Sequence, residues 1–217
     1  MAAARGNRRP TVLITGFGPF PTAPFNPTES LVAALGSGRR PALADIRIAT
    51  HVFRTSYAAV DRDLPRLLAE HRPDVLLMFG LAARTRHVRL ETQARTARSR
   101  LLADADGVLL AGPHGGKGGP LPARAPLVPL LHSTRRSGID VRLSRDAGRY
   151  LCNHLYRRAL EAGGPTRPAI ALFVHVPKVP RGPMARKRGR GPQAVTARDL
   201  VRLGNLLLPL LVAAARR

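Results

Sequence analysis

The sequence predicts an α/β domain in which helices cover both faces of a largely parallel sheet. Two continuous apolar runs, 74–79 and 169–176, are bounded by Pro and Gly residues, which is typical of buried strands. Segments whose apolar residues recur three and four positions apart alternate with the strand-like runs, as they do in strand–helix–strand units. The chain of 217 residues is long enough for one domain of ordinary size.

Five segments have the character of strands. The first is rich in β-branched residues and ends at Gly16, the second alternates between polar and apolar residues, and the third and fifth are the two buried runs. Because these strands alternate with helices, most of the sheet is expected to be parallel. In chain order, the predicted strands cover residues 12–15, 45–53, 74–79, 139–143 and 169–176.

Five further segments are predicted to be helices. Asn26 or Thr28 is expected to cap the first helix, because the side-chain oxygens of these residue types accept hydrogen bonds from helix N–H groups. Glycines follow the first, third and fourth helices and end them, and Pro209 is expected to bend the last one. In chain order, the predicted helices cover residues 28–35, 57–68, 123–133, 150–162 and 196–215.

Three stretches lie outside this regular pattern. The weak periodicity of residues 84–110 predicts an irregular β excursion, and the glycine-rich stretch 112–120 predicts a loop. Residues 1–10 are expected to form a flexible basic tail. The remainder, 11–217, is interpreted as a single domain.

The charge of the chain is its most unusual property. Lys and Arg number 36 against 13 Asp and Glu, which gives a net charge of +23, and an excess of this size attracts polyanions. Almost all of the basic residues are scattered arginines, and aromatic residues that could stack on bases make up only 4% of the chain. A compositional bias therefore explains the charge better than recognition of a specific nucleic acid. No apolar run is long enough to predict a membrane span.

Cys152 is the only cysteine, so the chain cannot form an internal disulfide, and a cytoplasmic location is expected. It lies at the start of the predicted helix 150–162, where the positive end of the helix dipole favours the thiolate. A lone cysteine is otherwise most often a small buried apolar residue. The thiol is therefore either a nucleophile or a core side chain, and its neighbours decide between the two.

His175 lies at the end of the last buried strand and favours the nucleophile. The carboxyl ends of parallel strands meet at one edge of the sheet, where α/β proteins place their sites, so His175 could meet Cys152. An imidazole beside a thiol can take its proton and return it to a leaving amine. Glu91, which follows the third strand, could orient the imidazole. On spacing alone, the competing carboxylates are Glu29, Asp74 and Asp146.

Four short motifs contain these candidate residues. They are TGFGPF at 15–20 followed by NP at 26–27, GLAAR at 80–84 leading to Glu91, SRDAGRYLCN at 144–153, and FVHVP at 173–177. In this order, they resemble the N-terminal, glutamate, cysteine and histidine motifs of the pyroglutamyl peptidase I family, also called pyrrolidone-carboxylate peptidases. Together they span nearly the whole chain, and four matches in order are far more specific than any one of them.

The resemblance implies a fold, an activity and a mechanism. Members of the family are three-layer α/β/α sandwiches with a mixed, mostly parallel sheet, and they remove N-terminal pyroglutamate from peptides. By position in the motifs, Cys152 would be the nucleophile, His175 the acid–base group and Glu91 the orienting carboxylate. A thiolate that attacks an amide carbonyl needs no metal or other cofactor, because nearby backbone N–H groups can meet the oxyanion. Family members are often tetramers, so a homo-oligomer, either a tetramer or a dimer, is expected.

The resemblance also implies where a pyroglutamyl peptide binds. Phe17 and Phe20 would flank the lactam ring, and Tyr150 would form its other wall. Asn26 would brace the loop that carries the two phenylalanines. A flat, uncharged ring with amide edges suits an apolar aromatic slot with a few polar groups. Without the motif, the phenylalanines are as well explained by packing at a loop, and Tyr150 by packing in the core.

No metal site is predicted. The remaining histidines do not have the spacing of metal ligands and are interpreted as surface or core residues. Asp146 is expected to cap the helix that carries the cysteine, a structural role. The histidines concerned are His51, His71, His87, His114, His132 and His154.

The glutamate signature departs from the family's pattern in several places. Arg89 replaces a usual Ser or Thr, and Thr92 and Thr96 stand where a basic residue and an asparagine are usual. The arginine that stabilises the oxyanion in relatives falls on Leu101, and a shift of one residue would supply Arg100 instead. Two alternatives therefore stay open: a diverged, weakly active or inactive relative, and a basic nucleic-acid-associated protein that uses the fold as a scaffold.

Overall fold

The structure is a computed structural model that describes residues 8–20, 23–38, 41–99, 101–110, 119–180 and 194–217. Its strands within these residues are β1 (Thr11–Phe17), β2 (Arg47–Phe53), β3 (Val75–Leu81), β4 (Val88–Glu91), β5 (Gln93–Ala94), β6 (Leu121–Pro122), β7 (Val141–Ser144) and β8 (Ile170–Val176). Its helices are α1 (Pro27–Ser37), α2 (Tyr57–His71), α3 (Leu127–Arg135), α4 (Leu151–Glu161) and α5 (Ala197–Ala215), with short 3₁₀ turns at Pro41–Leu43 and Gly164–Thr166.

The central sheet is mixed and mostly parallel. Its strands lie in the order β2-β1-β3-β8-β4-β7, and all neighbours pair in parallel except β4 and β8. β4 and β7 therefore run opposite to the other four strands. β5 and β6 form a separate antiparallel ribbon. The mostly parallel sheet predicted from the sequence is confirmed, and its reversed section begins with β4, inside the weakly patterned stretch 84–110.

Helices cover both faces of this sheet, which makes the molecule a three-layer α/β/α sandwich. One apolar core packs α1, α3 and α5 against one face of the sheet. A second apolar core packs α2 and α4 against the opposite face. Both cores draw on side chains from β1, β3 and β8, as expected of strands that are buried on both faces.

The alternation of side chains along each strand decides which of them reach the α2/α4 face. In β8, Val174 packs into the core of α5, so its neighbour His175 faces α2 and α4. In β4, Leu90 packs into the core of α5, so Arg89 and Glu91 also face α2 and α4. Three charged or titratable side chains therefore share one face at the middle of the sheet.

The helix predicted at 123–133 starts later than the sequence suggests. Arg124 is still extended, and its carbonyl accepts a hydrogen bond from the N–H of Ala171 in β8 (2.9 Å). α3 begins only at Leu127. Apolar spacing alone could not reveal this, because the extended segment owes its conformation to a distant strand.

The chain is attached to the sheet before the predicted start of the domain. Residues 1–7 of the predicted tail lie outside the described residues. Arg8 donates a hydrogen bond to the carboxylate of Asp74 (2.8 Å), and the carbonyl of Pro10 accepts one from the N–H of Arg47 (2.9 Å). Residues 8–10 are thus bonded to the amino ends of β2 and β3 in this structure, and the flexibility of the tail stays a prediction.

The C-terminal helix is fixed by a capping box. The hydroxyl of Thr196 accepts a hydrogen bond from the N–H of Asp199 (3.1 Å), whose carboxylate accepts one in return from the N–H of Thr196 (3.1 Å). α5 continues through Pro209 to Ala215. Neither α5 nor any other helix in the described part of the chain has the length and apolar content needed to cross a membrane.

Candidate active site

The thiol and the imidazole singled out from the sequence lie on the same face of the sheet, at the carboxyl end of β3 and β8. Gly80 of β3 is the register partner of His175 in β8. The Sγ of Cys152 lies 2.7 Å from the point that a Cβ on Gly80 would occupy. The thiol therefore sits directly over Gly80 and beside the strand position of His175.

Burial controls the charge of the thiol. Cys152 is the second residue of α4 and is 8% exposed. Burial, reinforced by the negative charge of Glu91, raises the pKa of Cys152 to about 12, whereas the guanidinium of Arg89 acts in the opposite direction. The helix end favours the thiolate, as expected from the sequence, whereas burial acts in the opposite direction and favours the neutral thiol. A base beside the thiol is therefore needed to form the thiolate near neutral pH.

Glu91 holds the imidazole of His175. The Nδ1 atom of His175 lies 2.8 Å from Oε1 of Glu91, and both side chains are buried. Because a carboxylate only accepts hydrogen bonds, this contact places the proton on Nδ1 and leaves Nε2 free to accept a proton. The ring of Phe173 packs against the imidazole, with 4.9 Å between the ring centroids.

The competing carboxylates lie elsewhere. Asp74 accepts a hydrogen bond from the N–H of Thr11 (2.8 Å) at the opposite end of the sheet. Glu29 lies in the first turn of α1, on the other face. Asp146 is exposed and pairs with Arg95 (2.8 Å).

Asp146 organises the loop before α4 without capping the helix. Its carboxylate accepts a hydrogen bond from the N–H of Gly148 (3.0 Å), where a φ of 81° turns the chain in a conformation that favours glycine. The N-cap residue of α4 is Tyr150, and no side chain caps the helix. The prediction that Asp146 caps the helix is therefore wrong. The first N–H groups of α4 remain without a side-chain cap at the end that carries Cys152.

Arg89 is a further charged group at the site. Its Nε lies 3.1 Å from Oε1 of Glu91, and its Nη2 donates a hydrogen bond to the carbonyl of Asp146 (3.2 Å). Nη2 also lies 3.3 Å from Nδ1 of His175. Nδ1 cannot donate to the carboxylate and accept from Arg89 at once, so we assign the shorter contact with Glu91 as the hydrogen bond. The sequence marked Arg89 only as a departure from a usual Ser or Thr.

Two of the predicted substrate-lining aromatics pack against the apolar core that contains Cys152, and the third lies inside that core. Phe20 and Tyr150 are half-buried, and their ring centroids are 6.4 Å apart. The Tyr150 hydroxyl donates to the carbonyl of Ala103 (2.7 Å). Phe17 has no exposed surface and packs against Phe53. In this conformation, Phe17 supports the site from within the core, and its predicted contact with the lactam ring stays a prediction.

Asn26 ties the loop after β1 to α1. Its Nδ2 donates a hydrogen bond to the carbonyl of Gly18 (3.0 Å), and its Oδ1 accepts one from the N–H of Thr28 (3.1 Å). Asn26 is thereby the N-cap of α1, one of the two caps that the sequence suggested. The hydroxyl of Thr28 bonds in turn to the carbonyl of Phe17 (2.9 Å). The loop that carries Phe20 is therefore anchored at its base.

Sequence reasoning missed three buried polar side chains around the thiol. The hydroxyl of Tyr156, one turn after Cys152 on α4, donates to the carbonyl of Glu91 (3.1 Å). Tyr57 packs edge-on against Tyr150, and burial raises its pKa to about 12. Its hydroxyl has no hydrogen-bond partner within the described part of the chain. Helical spacing from Cys152 could have pointed to Tyr156, but nothing in the local pattern pointed to Tyr57.

The third of them, Asn153, follows Cys152 directly. Its Oδ1 accepts a hydrogen bond from the N–H of Arg95 (2.7 Å), and its Nδ2 donates one to the carbonyl of the same residue (2.9 Å). Asn153 is fully buried. This pair of bonds fixes the start of α4 to the segment that follows β5.

Two of the predicted residues, Arg100 and His114, lie outside the described residues. Across the ranges that the structure does describe, no three His, Cys, Asp or Glu side chains are close enough to hold a metal ion together. His154 contacts the carboxylate of Asp61 instead (3.0 Å).

These features define a class of protein. A thiol at the start of a helix, an imidazole at the end of a neighbouring strand and a buried carboxylate on that imidazole form the side-chain set of cysteine hydrolases. The chain belongs to the pyroglutamyl peptidase family, whose sequence model matches residues 10–203. The resemblance of the four motifs is thereby confirmed.

Individual relatives agree over most of the chain. The pyrrolidone-carboxylate peptidase 1 of Ralstonia nicotianae is 32% identical over 203 residues, which cover 90% of this chain and 89% of that protein. The crystal structure of the pyrrolidone carboxyl peptidase of Fervidobacterium islandicum matches with a TM-score of 0.80 at 25% identity and covers 94% of this chain and 99% of that one. The structure of the Bacillus amyloliquefaciens pyroglutamyl peptidase I shares the fold, with a TM-score of 0.77 at 22% identity over 96% of this chain and 98% of that one.

Proposed function

We propose that this protein is a pyroglutamyl peptidase I, a cysteine exopeptidase that hydrolyses the amide bond after an N-terminal pyroglutamyl residue of a small peptide. The observation that carries the proposal is the 2.8 Å contact between His175 and Glu91, on the sheet face where the thiol of Cys152 lies over Gly80. Membership of the pyroglutamyl peptidase family supports the choice of substrate.

The three side chains have separate roles in the proposed reaction. Nε2 of His175 takes the proton of the Cys152 thiol while Sγ attacks the pyroglutamyl carbonyl carbon, and the C–N bond of the amide breaks. The imidazolium returns its proton to the leaving amine. Water, deprotonated by the same imidazole, then hydrolyses the thioester and releases pyroglutamate and the thiol. Glu91 accepts the hydrogen bond from Nδ1–H and stabilises the imidazolium.

The start of α4 is suited to the negative charge that develops on the substrate. The first N–H groups of a helix have no partner within the helix, and no side chain caps this one. They surround Cys152, so an oxyanion formed at the attacked carbonyl would meet backbone donors and the positive end of the helix dipole. The oxyanion role predicted for Arg100 concerns a residue outside the described ranges and stays a prediction.

The lactam ring is proposed to bind between Phe20 and Tyr150. These half-buried aromatic side chains pack against the core that contains the thiol and would present apolar surface to a flat ring. Tyr57 lies behind Tyr150 and offers a buried hydroxyl that has no partner among the described residues. Asn26 holds the loop that carries Phe20, and Phe17 supports that loop from the core.

We also propose a cytoplasmic location and a homo-oligomer, a dimer or a tetramer. A nucleophilic thiol requires a reducing environment, and Cys152 is the only cysteine of the chain. The apolar side chains of Leu101, Leu102 and Leu109 are exposed in the segment that also contains Ala103, whose carbonyl accepts the Tyr150 hydroxyl. Exposed apolar side chains of this kind are typical of an interface. Size-exclusion chromatography with light scattering measures the assembly directly.

The activity is tested with a pyroglutamyl amide that carries a fluorescent amine. Wild type is expected to release the amine, and Cys152→Ala and alkylated wild type are expected not to. The corresponding prolyl amide, which lacks the lactam carbonyl, serves as the substrate control. A folded wild-type protein that releases no amine under reducing, mildly alkaline conditions would instead identify an inactive relative.

A further inference from the structure

One charged side chain at the site has no part in the proton transfers described above. The guanidinium of Arg89 lies 3.1 Å from Oε1 of Glu91 and 3.3 Å from Nδ1 of His175. Arg89 and His175 are direct partners in the antiparallel pair of β4 and β8, so the two side chains leave the sheet side by side. The strand register fixes the position of Arg89 beside His175, so this contact is not that of a freely moving surface side chain.

Arg89 is also held at its outer end. Its Nη2 donates a hydrogen bond to the carbonyl of Asp146, in the loop that leads to α4. The side chain is 21% exposed, so most of it is shielded from solvent. Arg89 therefore links β4, which carries Glu91, to the loop that precedes α4, the helix of Cys152.

The same oxygen of Glu91 faces both the imidazole and the guanidinium. Oε1 is the atom in contact with His175 and with Arg89, whereas Oε2 has no hydrogen-bond partner within the described residues. The positive charge of Arg89 next to Oε1 helps to hold this oxygen on the side of His175. Without Arg89, the carboxylate would keep only the contact with His175 and could rotate.

We propose that Arg89 is a positioning residue that holds the Glu91 carboxylate on His175 and sets the pH range in which the thiol and the imidazole together carry one proton. This inference deepens the proposed function and rests on it for the meaning of that pH range. It applies to this chain's own departure from the family pattern, in which a Ser or Thr is usual at this place.

The direction of the effect follows from charge alone. The pair of Cys152 and His175 is active when it holds one proton, whichever atom carries it. Gain of a second proton puts a positive charge next to Arg89, and loss of the last proton puts a negative charge there. The positive charge of Arg89 disfavours the doubly protonated pair and favours the fully deprotonated pair. The acidic and the basic limb of the activity profile therefore both lie at lower pH with Arg89 than without it.

Other titratable groups at the site do not reverse this direction. β4 contributes Glu91 besides Arg89, and α4 contributes Cys152 itself and Tyr156, whose burial raises its pKa far above neutrality. The neighbouring position on β3 is Gly80, which has no charge. The loop before α4 contributes Asp146, which is exposed and paired with an arginine of its own. Among the residues that the structure describes, Arg89 is the arginine whose charge lowers the pKa of Cys152.

The test compares Arg89→Gln, Arg89→Lys and Arg202→Gln. Arg202 lies on α5, on the opposite face of the sheet, so Arg202→Gln also removes one positive charge but leaves the site untouched. The first readout is the pH profile of kcat/KM with the fluorescent pyroglutamyl amide. The second is the pH profile of the alkylation rate of Cys152 by iodoacetamide, which needs no turnover.

Arg89→Gln is expected to move both limbs of the kcat/KM profile, and the alkylation profile, to higher pH by about half to one pH unit. Arg89→Lys is expected to keep the limbs in place with a reduced kcat, because the charge remains and the fork geometry is lost. Unmoved limbs in Arg89→Gln, or an equal movement in Arg202→Gln, would overturn the inference. If wild type releases no amine, the proposed function fails, and the alkylation profiles still decide the effect of Arg89.

Discussion

A Cβ on Gly80 would lie 2.7 Å from Sγ of Cys152 and 2.8 Å from the ring of Phe173. Non-bonded carbon and sulfur atoms do not approach so closely, so only glycine allows α4 to bring its thiol down onto β3. Gly80 is also the register partner of His175. One position without a side chain thus sets the spacing between the helix of the thiol and the strand of the imidazole.

Gly80→Ala is expected to lower kcat/KM about 100-fold. The added methyl group would push the Cys152 thiol away from β3 and misalign its attack on the substrate carbonyl. Steady-state kinetics with the fluorescent pyroglutamyl amide measure the loss. Gly163→Ala is the control, since a Cβ there meets no atom of the described residues within 4 Å. A Gly80→Ala protein with wild-type kinetics would show that the thiol does not act from this position.

The thiol is expected to depend on His175 for its reactivity at neutral pH. Burial raises the pKa of Cys152 to about 12, so without a base the thiolate forms only in strongly alkaline solution. In His175→Ala, alkylation of Cys152 by iodoacetamide is therefore expected to be lost at neutral pH. It is expected to return as the pH approaches the pKa of the thiol. His132→Ala, an exposed histidine of α3, is the control. Rapid alkylation of His175→Ala at neutral pH would contradict a buried neutral thiol.

Glu91→Gln is expected to lower kcat less than His175→Ala does. The amide oxygen of Gln can still accept the Nδ1–H bond of His175, but it lacks the charge that stabilises the imidazolium. We expect a loss of about 10²- to 10⁴-fold for Glu91→Gln, and a larger one for His175→Ala, which removes the proton acceptor itself. Measurements of kcat for both variants decide the order. Equal rates for Glu91→Gln and wild type would remove the carboxylate from the mechanism.

The positions of Cys152 and His175 along the chain were enough to predict that they lie at one edge of the sheet, because a parallel sheet collects the ends of its strands and the starts of the following helices there. Glu91 reaches His175 differently, since it lies on β4, which pairs antiparallel with β8. The charge of the thiol could not be predicted in this way. Sequence position suggests the helix dipole, whereas the depth of burial that outweighs it depends on how β3, β8 and α4 pack.

The role of Arg89 was hidden for a different reason. Its contact with His175 arises from the antiparallel pairing of β4 and β8, between segments more than eighty residues apart in the chain. The local pattern around Arg89 is weak, so the sequence predicted only an irregular stretch there. Long-range pairing of a short strand leaves little trace in periodicity, so the sequence marks Arg89 only as a departure from a usual Ser or Thr and gives it no partner.

Tyr57→Phe and Tyr150→Phe are expected to change stability in opposite directions. The Tyr57 hydroxyl is buried without a partner among the described residues, so its removal is expected to raise the free energy of unfolding by about 1 kcal/mol. Tyr150 donates to the carbonyl of Ala103, so loss of its hydroxyl is expected to lower the free energy of unfolding by about 1 kcal/mol. Urea unfolding measures both. A destabilised Tyr57→Phe would mean that its hydroxyl has a partner in the folded protein.

Asn153→Ala is expected to destabilise the protein and the site together. Its buried side chain makes two hydrogen bonds to the backbone of Arg95, and truncation would leave both of these backbone groups without this partner. We expect the free energy of unfolding to fall by about 2 kcal/mol and Tm by about 4–8 °C. Because Asn153 adjoins Cys152, kcat/KM is expected to fall even well below Tm. Val128→Ala, at an exposed position of α3, is the control. A loss of stability with unchanged kcat/KM would show that α4 positions the thiol without this anchor.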